Sequence, residues 1–526
     1  LTPQAVIAMM LGIVPTSEKR AALLPYATIF IVAAASRLIV AYLFFGSVDI
    51  VNDTVDGARM LNGSMLSAQV PYLPGIHLLL WLGGQLAVRT TLPVAFCYKV
   101  FPCLFDSLIA VLIALWPGDR TRARRLGYLY AFAPVPMIIS ALHGQWDGVF
   151  LYFLMLSIFL LRIGSRRADA LAGAAFVLSV IVKPVAVPLI LFLFPAPWLL
   201  FGRRADGDAR RRAVTLIGAM AAATAAYLLL LLAMGTRLGI AELRLIFSYA
   251  QHGVQLMGFR MFYGVPRAIG LTCLLALLPA YWWGRVSRER AILLFFAFVI
   301  GLCGSAAQYL TWLVPFAIVS ADLAFAALYN LVCALTLLLY YQAPGVQGYN
   351  LENLDAYLPL RHFAWLAPSM TNLPEKSEIV FYSGDVVVPS IAIAFFAFAL
   401  LNIARARPRV VTQPVAPQQR RAASVSLLIV ILLLGAGCVW AARQPPITGE
   451  QLTQRIRARV EVGYWCVKFQ ESNPRNPPAP IWVLPSYTDP SIVARPVNAF
   501  TIGIGWTLLW TAAASMMAVR KREAAV

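Results

Sequence analysis

Ile76-His77-Leu78-Leu79-Leu80-Trp81-Leu82-Gly83-Gly84-Gln85-Leu86-Ala87-Val88 is the stretch on which the threading of this chain turns. It is apolar enough to enter a bilayer, yet Pro71, Pro74 and Pro93 bracket it. It also falls short of the roughly 20 residues that a helical span needs. Counted as a span, it would put the basic run Arg120 to Arg125 outside. Read as a helix lying in the interface, it joins one large outer loop and the conflict disappears.

On either side of it the apolar residues come in longer blocks. Ala22 to Phe45 precedes it; Val214 to Met234, Leu323 to Tyr341 and Ser426 to Ala442 follow. Backbone polar groups must pair internally in lipid, so such blocks are helices. Composition agrees: 60% of the residues are apolar and 13% charged, with a mean hydropathy of +0.74. Soluble domains lie nearer about one half and one quarter. The expected class is therefore all-α, a polytopic transmembrane helical bundle.

The net charge of +20 is mostly arginine in short loops between apolar blocks. That is the positive-inside pattern, and without a basic face interleaved with aromatics it excludes nucleic acid as a partner. Lys19-Arg20, Arg120 to Arg125, Arg162 to Arg167, Arg203 to Arg212, Arg285 to Arg290, Arg405 to Arg421 and Arg520 to Arg522 mark the cytoplasmic side. Threading between them gives about fourteen spans with both termini cytoplasmic. The segment before Ala22 does not read as a signal peptide, because Lys19 and Arg20 follow its apolar run. The seven cysteines have no metal or disulfide spacing.

Three units are expected. A body covers 1–404, a Pro- and Arg-rich cytoplasmic linker covers 405–423, and a two-span C-terminal unit covers 424–526. The outer loop of that last unit, 443–498, is rich in Pro and aromatics and reads as a small folded cap.

Polar residues at membrane depth are costly and each needs a reason. The first outer loop carries Asp49, Asp53 and Asp56, which suit a general base or a metal site and equally suit a solvated helix start. Leu142-His143-Gly144-Gln145-Trp146-Asp147-Gly148 is a very short outer turn that gathers imidazole, amide, indole and carboxylate. A plain turn would use Gly, Asn or Pro, although Trp146 and Asp147 also fit interface anchoring and capping. Val182-Lys183-Pro184 puts a lone lysine at an outer bend, suited to an anionic phosphate or to snorkelling. Gln308-Tyr309-Leu310-Thr311-Trp312 opens another span, with groups able to hydrogen-bond or stack on a polyol. His252, Gln255, Arg260, Tyr263 and Arg267 form a weaker basic and aromatic set near Pro266. Arg37 and Asp106, charged inside apolar spans, are expected to pair structurally.

Taken in order, these segments resemble the GT-C superfamily, in particular the bacterial polyprenyl-phosphate-sugar-dependent glycosyltransferases and relatives of the mannosyltransferases that build GPI anchors. The resemblance runs from about Arg37 to Pro315. It is carried by Ser47-Val48-Asp49 with Gly63 and Pro71-Tyr72; Tyr98-Lys99 with Pro102 and Asp106; Ala133-Pro134 before His143-Gly144-Gln145-Trp146-Asp147; Lys183-Pro184; and Gln308-Tyr309 with Trp312 and Pro315.

The resemblance implies a sugar donor on a dolichyl or polyprenyl phosphate, handled on the outer face of the inner (plasma) membrane. An envelope glycan or lipid is the implied acceptor, and inversion the implied outcome. Position maps the family's first-loop base onto Asp49, with Asp53 or Asp56 as alternatives, because Ile50 stands where many relatives carry a second acid. Lys183 is the expected cation for the departing phosphate, with Arg260 and Arg267 as runners-up. His143, Gln145, Trp146 and Asp147, with Gln308 and Tyr309, would line the sugar or acceptor site. Some members of the superfamily need a divalent metal. The unit from Ser424 matches no motif of the family. A lipid-linked-sugar flippase and a polymerase or ligase of lipid-linked oligosaccharides are the alternative functions.

Overall fold

The computed structural model describes residues 17–43, 50, 53, 57, 75–92, 94–197, 207–233, 267–302, 307–340, 386–405, 430, 434–437, 439–440, 443–444, 451, 466–469, 480–483 and 499–523. Helices dominate them. The N-terminal part is α1 (Ser17–Leu43), α2 (Gly75–Arg89), α3 (Val94–Ala114), α4 (Arg120–Ala131) and α5 (Pro134–Met137), which runs on as a π-helical turn, Ile138–His143. The hairpin α6 (Asp147–Ile163) and α7 (Arg166–Val182) follows, then a 3-10 segment (Pro184–Phe192) and α8 (Gly207–Ala233). Next come α9 (Arg267–Trp282), α10 (Arg288–Leu302), a 3-10 turn (Ala307–Trp312), α11 (Leu313–Val319), α12 (Leu323–Tyr340), α13 (Val388–Arg405) and α14 (Ala499–Glu523).

Among the described residues, one two-stranded antiparallel ribbon is the exception to helix. Here β1 (Cys466–Phe469) pairs with β2 (Pro480–Val483), Cys466 opposite Val483. It lies within the 443–498 segment read as a folded cap.

Among the described residues, Leu24–Tyr42, Val94–Ala114 and Gly207–Leu230 are long and apolar enough to cross a membrane. The pair Arg120–Ala131 and Pro134–His143 passes the same test as one span bent by 46°. On α8, Leu229 and Leu232 are 65% and 68% exposed. Apolar surface presented on this scale fits lipid rather than water, so the chain belongs to the membrane-associated class. The helices follow the apolar blocks closely, but several basic clusters read as loops lie in helices: Arg120 to Arg125 in α4, Arg162 in α6, Arg166 and Arg167 in α7, and Arg288 and Arg290 in α10. The basic cluster read as a loop from Arg203 to Arg212 is partly helical, because α8 already begins at Gly207. Arginine is a good helix former, and Arg212 is anchored there by Asp169 at 2.9 Å.

The decisive stretch is helix α2. With 15 residues it is about 22 Å long, too short for a hydrocarbon core of about 30 Å. Its Gly83 lies against the Tyr98 ring of α3, and its Gly75 against Ile181 of α7.

The break between α4 and α5 shows how polar backbone is satisfied inside the bundle. Pro134 brings no N–H, so carbonyls at the end of α4 need outside donors. Arg37 Nη1 donates to Ala131 O at 2.6 Å. From the far end of the chain, Trp506 Nε1 donates to Phe132 O at 2.9 Å and Trp510 Nε1 to Leu129 O at 2.6 Å. The helix α14 thus packs on the body rather than apart from it. Arg37 Nε also donates to Asp106 Oδ2 at 2.6 Å, joined there by Ser140 Oγ at 3.1 Å, while Tyr130 Oη reaches Asp106 Oδ1 at 2.5 Å. The expected Arg37–Asp106 pair exists, fully buried and fully hydrogen-bonded.

Candidate active site

The site grows from the α6–α7 hairpin. Both helices have 17 residues, so the start of one and the end of the other meet at the same level. Asp147 is the first residue of α6 and Lys183 the first after α7. Lys183 Nζ donates to Asp147 Oδ2 at 2.7 Å. The other carboxylate oxygen accepts the Trp312 indole N–H at 2.5 Å. Tyr309 stacks on Trp312 with centroids 4.1 Å apart, and the ammonium lies 5.3 Å from the Tyr309 centroid and 5.9 Å from that of Trp312. The pair is therefore held in a box of aromatic faces, where cation–π attraction supports the lysine. Helix ends help as well: a carboxylate at the N-terminus of α6 faces the positive end of the helix dipole.

The turn above it is shaped by a π-helical bulge, a feature frequent at functional sites. Gly144 N and Gln145 N both donate to Ile139 O, at 3.1 and 3.0 Å. Gly144 closes the turn in the left-handed region, φ 85°. A Cβ there would run into Ile50 and lie 2.9 Å from Lys99 Cγ, so only glycine fits. Lys99 of α3 supports the turn from below, donating to Ala141 O at 3.0 Å and Leu142 O at 3.4 Å. Gln145 Nε2 lies 3.3 Å from His143 Nε2.

Two described residues ahead of α2, Ile50 and Asp53, reach this turn, and a third, Gly57, meets α3. Ile50 is buried against Gly144, and Asp53 Oδ2 accepts the Trp146 indole N–H at 3.0 Å. Gly57 is so close to the Tyr98 hydroxyl that no side chain fits between them.

Of the residues expected from the sequence, His143, Gln145, Trp146, Asp147 and Lys183 are all buried, and Gln308 and Tyr309 are partly buried beside them. Asp53 joins them through Trp146. Asp49, Asp56 and Arg260 lie outside the described residues, as does the side chain of Arg267, although Arg267 begins α9. The expected phosphate cation, Lys183, is bonded to an expected sugar- or acceptor-site residue, Asp147. In the sequence the two stand in separate motifs, 36 residues apart. Equal helix lengths between two turns are the signal that would have joined them. Lys99 and Tyr98 stand out in the sequence only as part of a resemblance; a lysine in the middle of an apolar span was the available sign.

A divalent cation finds no seat among the described residues. No three His, Cys, Asp or Glu side chains converge there: Asp53 is taken up by Trp146, and Asp147 by Lys183 and Trp312.

The opposite end of the bundle holds the basic clusters. Arg162 makes a two-pronged pair with Glu289, 2.7 Å on each prong. Arg212 does the same with Asp169 at 2.9 and 3.1 Å, and Arg290 reaches Asp322 at 3.1 Å. A scan against protein-family models and a search of the curated proteins both find no match to this chain.

Proposed function

We propose that the chain is an integral-membrane glycosyltransferase of the GT-C type. It moves a sugar, a hexose such as mannose, from a polyprenyl-phosphate donor to an envelope glycan or lipid, with inversion, at the outer face of the inner membrane. In this reading the bundle has about fourteen spans, both termini lie on the arginine side, and α2 rests in the outer interface. The observation that carries the reading is the convergence at one end of the bundle. The first outer loop, the 143–147 turn, Lys183 and the 308–312 turn come from four separate parts of the chain and meet opposite the arginine pairs.

The chemistry divides among these residues. The acceptor hydroxyl oxygen bonds to the anomeric carbon while the lipid phosphate leaves with the bonding electrons. The hydroxyl proton passes to a first-loop carboxylate. Asp49 takes that role in preference to Asp53, whose Oδ2 is already occupied by the Trp146 indole. Lys183 supplies positive charge to the departing phosphate, with Arg260 and Arg267 as further cations. Gln145, His143, Gln308 and Tyr309 offer hydrogen bonds to sugar or acceptor hydroxyls.

A flippase for lipid-linked sugars draws support from the two helix breaks, at Ala133-Pro134 and Lys183-Pro184, since broken helices beside buried polar groups also occur in transporters. Purified protein given labelled polyprenyl-phosphate sugars and membrane lipids separates the two. Transfer that disappears in Asp49→Asn supports the enzyme. Transfer that survives this substitution removes Asp49 as base, and sugar-lipid translocation in liposomes without any transfer replaces the enzyme by the flippase.

A further inference from the structure

We infer that Lys183 is an exchangeable cation: its ammonium, paired here with Asp147, turns to the phosphate of a lipid-linked ligand, and Asp147 is the group it leaves. This rests on the reading above that the site handles a lipid phosphate, and it adds how the phosphate is admitted.

Four observations carry it. First, the pair is lopsided in access. The Lys183 side chain is 8% exposed and that of Asp147 0%, and the partly exposed Tyr309 lies under the ammonium. An arriving anion meets the lysine and not the carboxylate. Second, Lys183 is not the sole partner of Asp147. The carboxylate keeps the Trp312 N–H, 2.5 Å from Oδ1, and the N-terminus of α6. Third, an ammonium is a point charge on a flexible stem, so it can change partner without realigning a planar fork. Fourth, the backbone at Lys183 leaves the helix, as the residue before Pro184 is steered to do. It is extended, φ −141° and ψ 114°, between α7 and a 3-10 run of nine residues. Pro184 and Pro188 fix the course of that run, so Lys183 stands at the end of a helix with its side chain outside the regular turns.

The exchange predicts opposite signs for two substitutions at the same carboxylate. In Asp147→Asn the competitor for Lys183 loses its charge, so phosphate binding tightens. In Trp312→Phe the carboxylate loses the donor that would hold it alone, so opening the pair is harder and binding weakens. The experiment uses the full chain in nanodiscs and three probes: farnesyl phosphate, inorganic phosphate and uncharged farnesol. Binding is read by microscale thermophoresis or by the thermal shift each probe produces.

Farnesyl phosphate should bind Asp147→Asn on the order of tenfold tighter than wild type, the scale of one charge-assisted hydrogen bond. It should bind Trp312→Phe several-fold more weakly, and Lys183→Gln at the level of farnesol. If inorganic phosphate shows the same order, the lysine selects the phosphate group itself; if only farnesyl phosphate does, the lipid source is required. Equal or weaker binding to a folded Asp147→Asn overturns the exchange, as does full binding to Lys183→Gln. Should Asp147→Asn not fold, unchanged binding to Trp312→Phe overturns it instead. Absence of sugar transfer by the wild-type chain, with these binding signs intact, would overturn the glycosyltransferase and leave the exchange standing.

Discussion

The two ends of the bundle solve the same electrostatic problem with different cations. At one end, arginines grip carboxylates that are themselves buried: Glu289 and Asp169 are 2% and 0% exposed, while Arg162 and Arg212 remain partly in contact with solvent. Each arginine makes two parallel bonds, a geometry that fixes the helix ends it joins. At the other end the cation is a lysine, the carboxylate is completely enclosed, and the surroundings are aromatic. A guanidinium fork locks; an ammonium can be redirected. The arginine end is framework, and the lysine end is where a ligand has something to exchange.

Removing one carboxylate from each end tests this most severely. Asp147→Ala should cost about 3–5 kcal/mol, because it leaves a largely buried ammonium without its carboxylate. Glu289→Ala should cost about 1–2 kcal/mol, since Arg162 reaches solvent and keeps the Trp116 face. Chemical unfolding in detergent measures both, and equal losses would erase the distinction. Next come the paired glycines in left-handed conformation. Gly144→Ala meets Ile50 and Lys99 and should cost about 2–3 kcal/mol. Gly164→Ala, at φ 69° with only Arg212 Nη1 at 3.7 Å, should cost about 1 kcal/mol. Exchanging the cations is the gentlest change. Lys183→Arg should fold normally and lose sugar transfer by about tenfold, the scale of one misplaced charge-assisted bond. Arg162→Lys should lose about 1 kcal/mol of stability and keep transfer. Transfer undiminished in Lys183→Arg would show that a fork serves as well as a point charge.

Much of the framework was legible because span-forming residues announce themselves by composition. The blocks beginning near Ala22 and at Leu323 became α1 and α12 almost unaltered. The turn at His143–Asp147 was legible because its residue types are expensive where they sit. The pairing of Asp147 with Lys183 was not, since it depends on the relative lengths of two helices rather than on either motif. Nor was the use of Trp312 as a donor to Asp147. A tryptophan at a span end reads equally well as an interface anchor, and 165 residues separate it from its acceptor. Lys99 was obscured by its surroundings: its partners are backbone carbonyls exposed by a π-bulge that no local pattern declares.

The helix break at Pro134 has a consequence for how the protein is made. Its carbonyls at Phe132 and Leu129 accept from indoles 374 and 381 residues further on. During synthesis, α4 and α5 are made long before α14, so the bent arm that ends in the 143–147 turn waits without these indole donors. Arrival of the last helix closes that account in one step. Assembly therefore has a built-in order: until α14 arrives, the elbow beneath the candidate active site lacks these two indole donors.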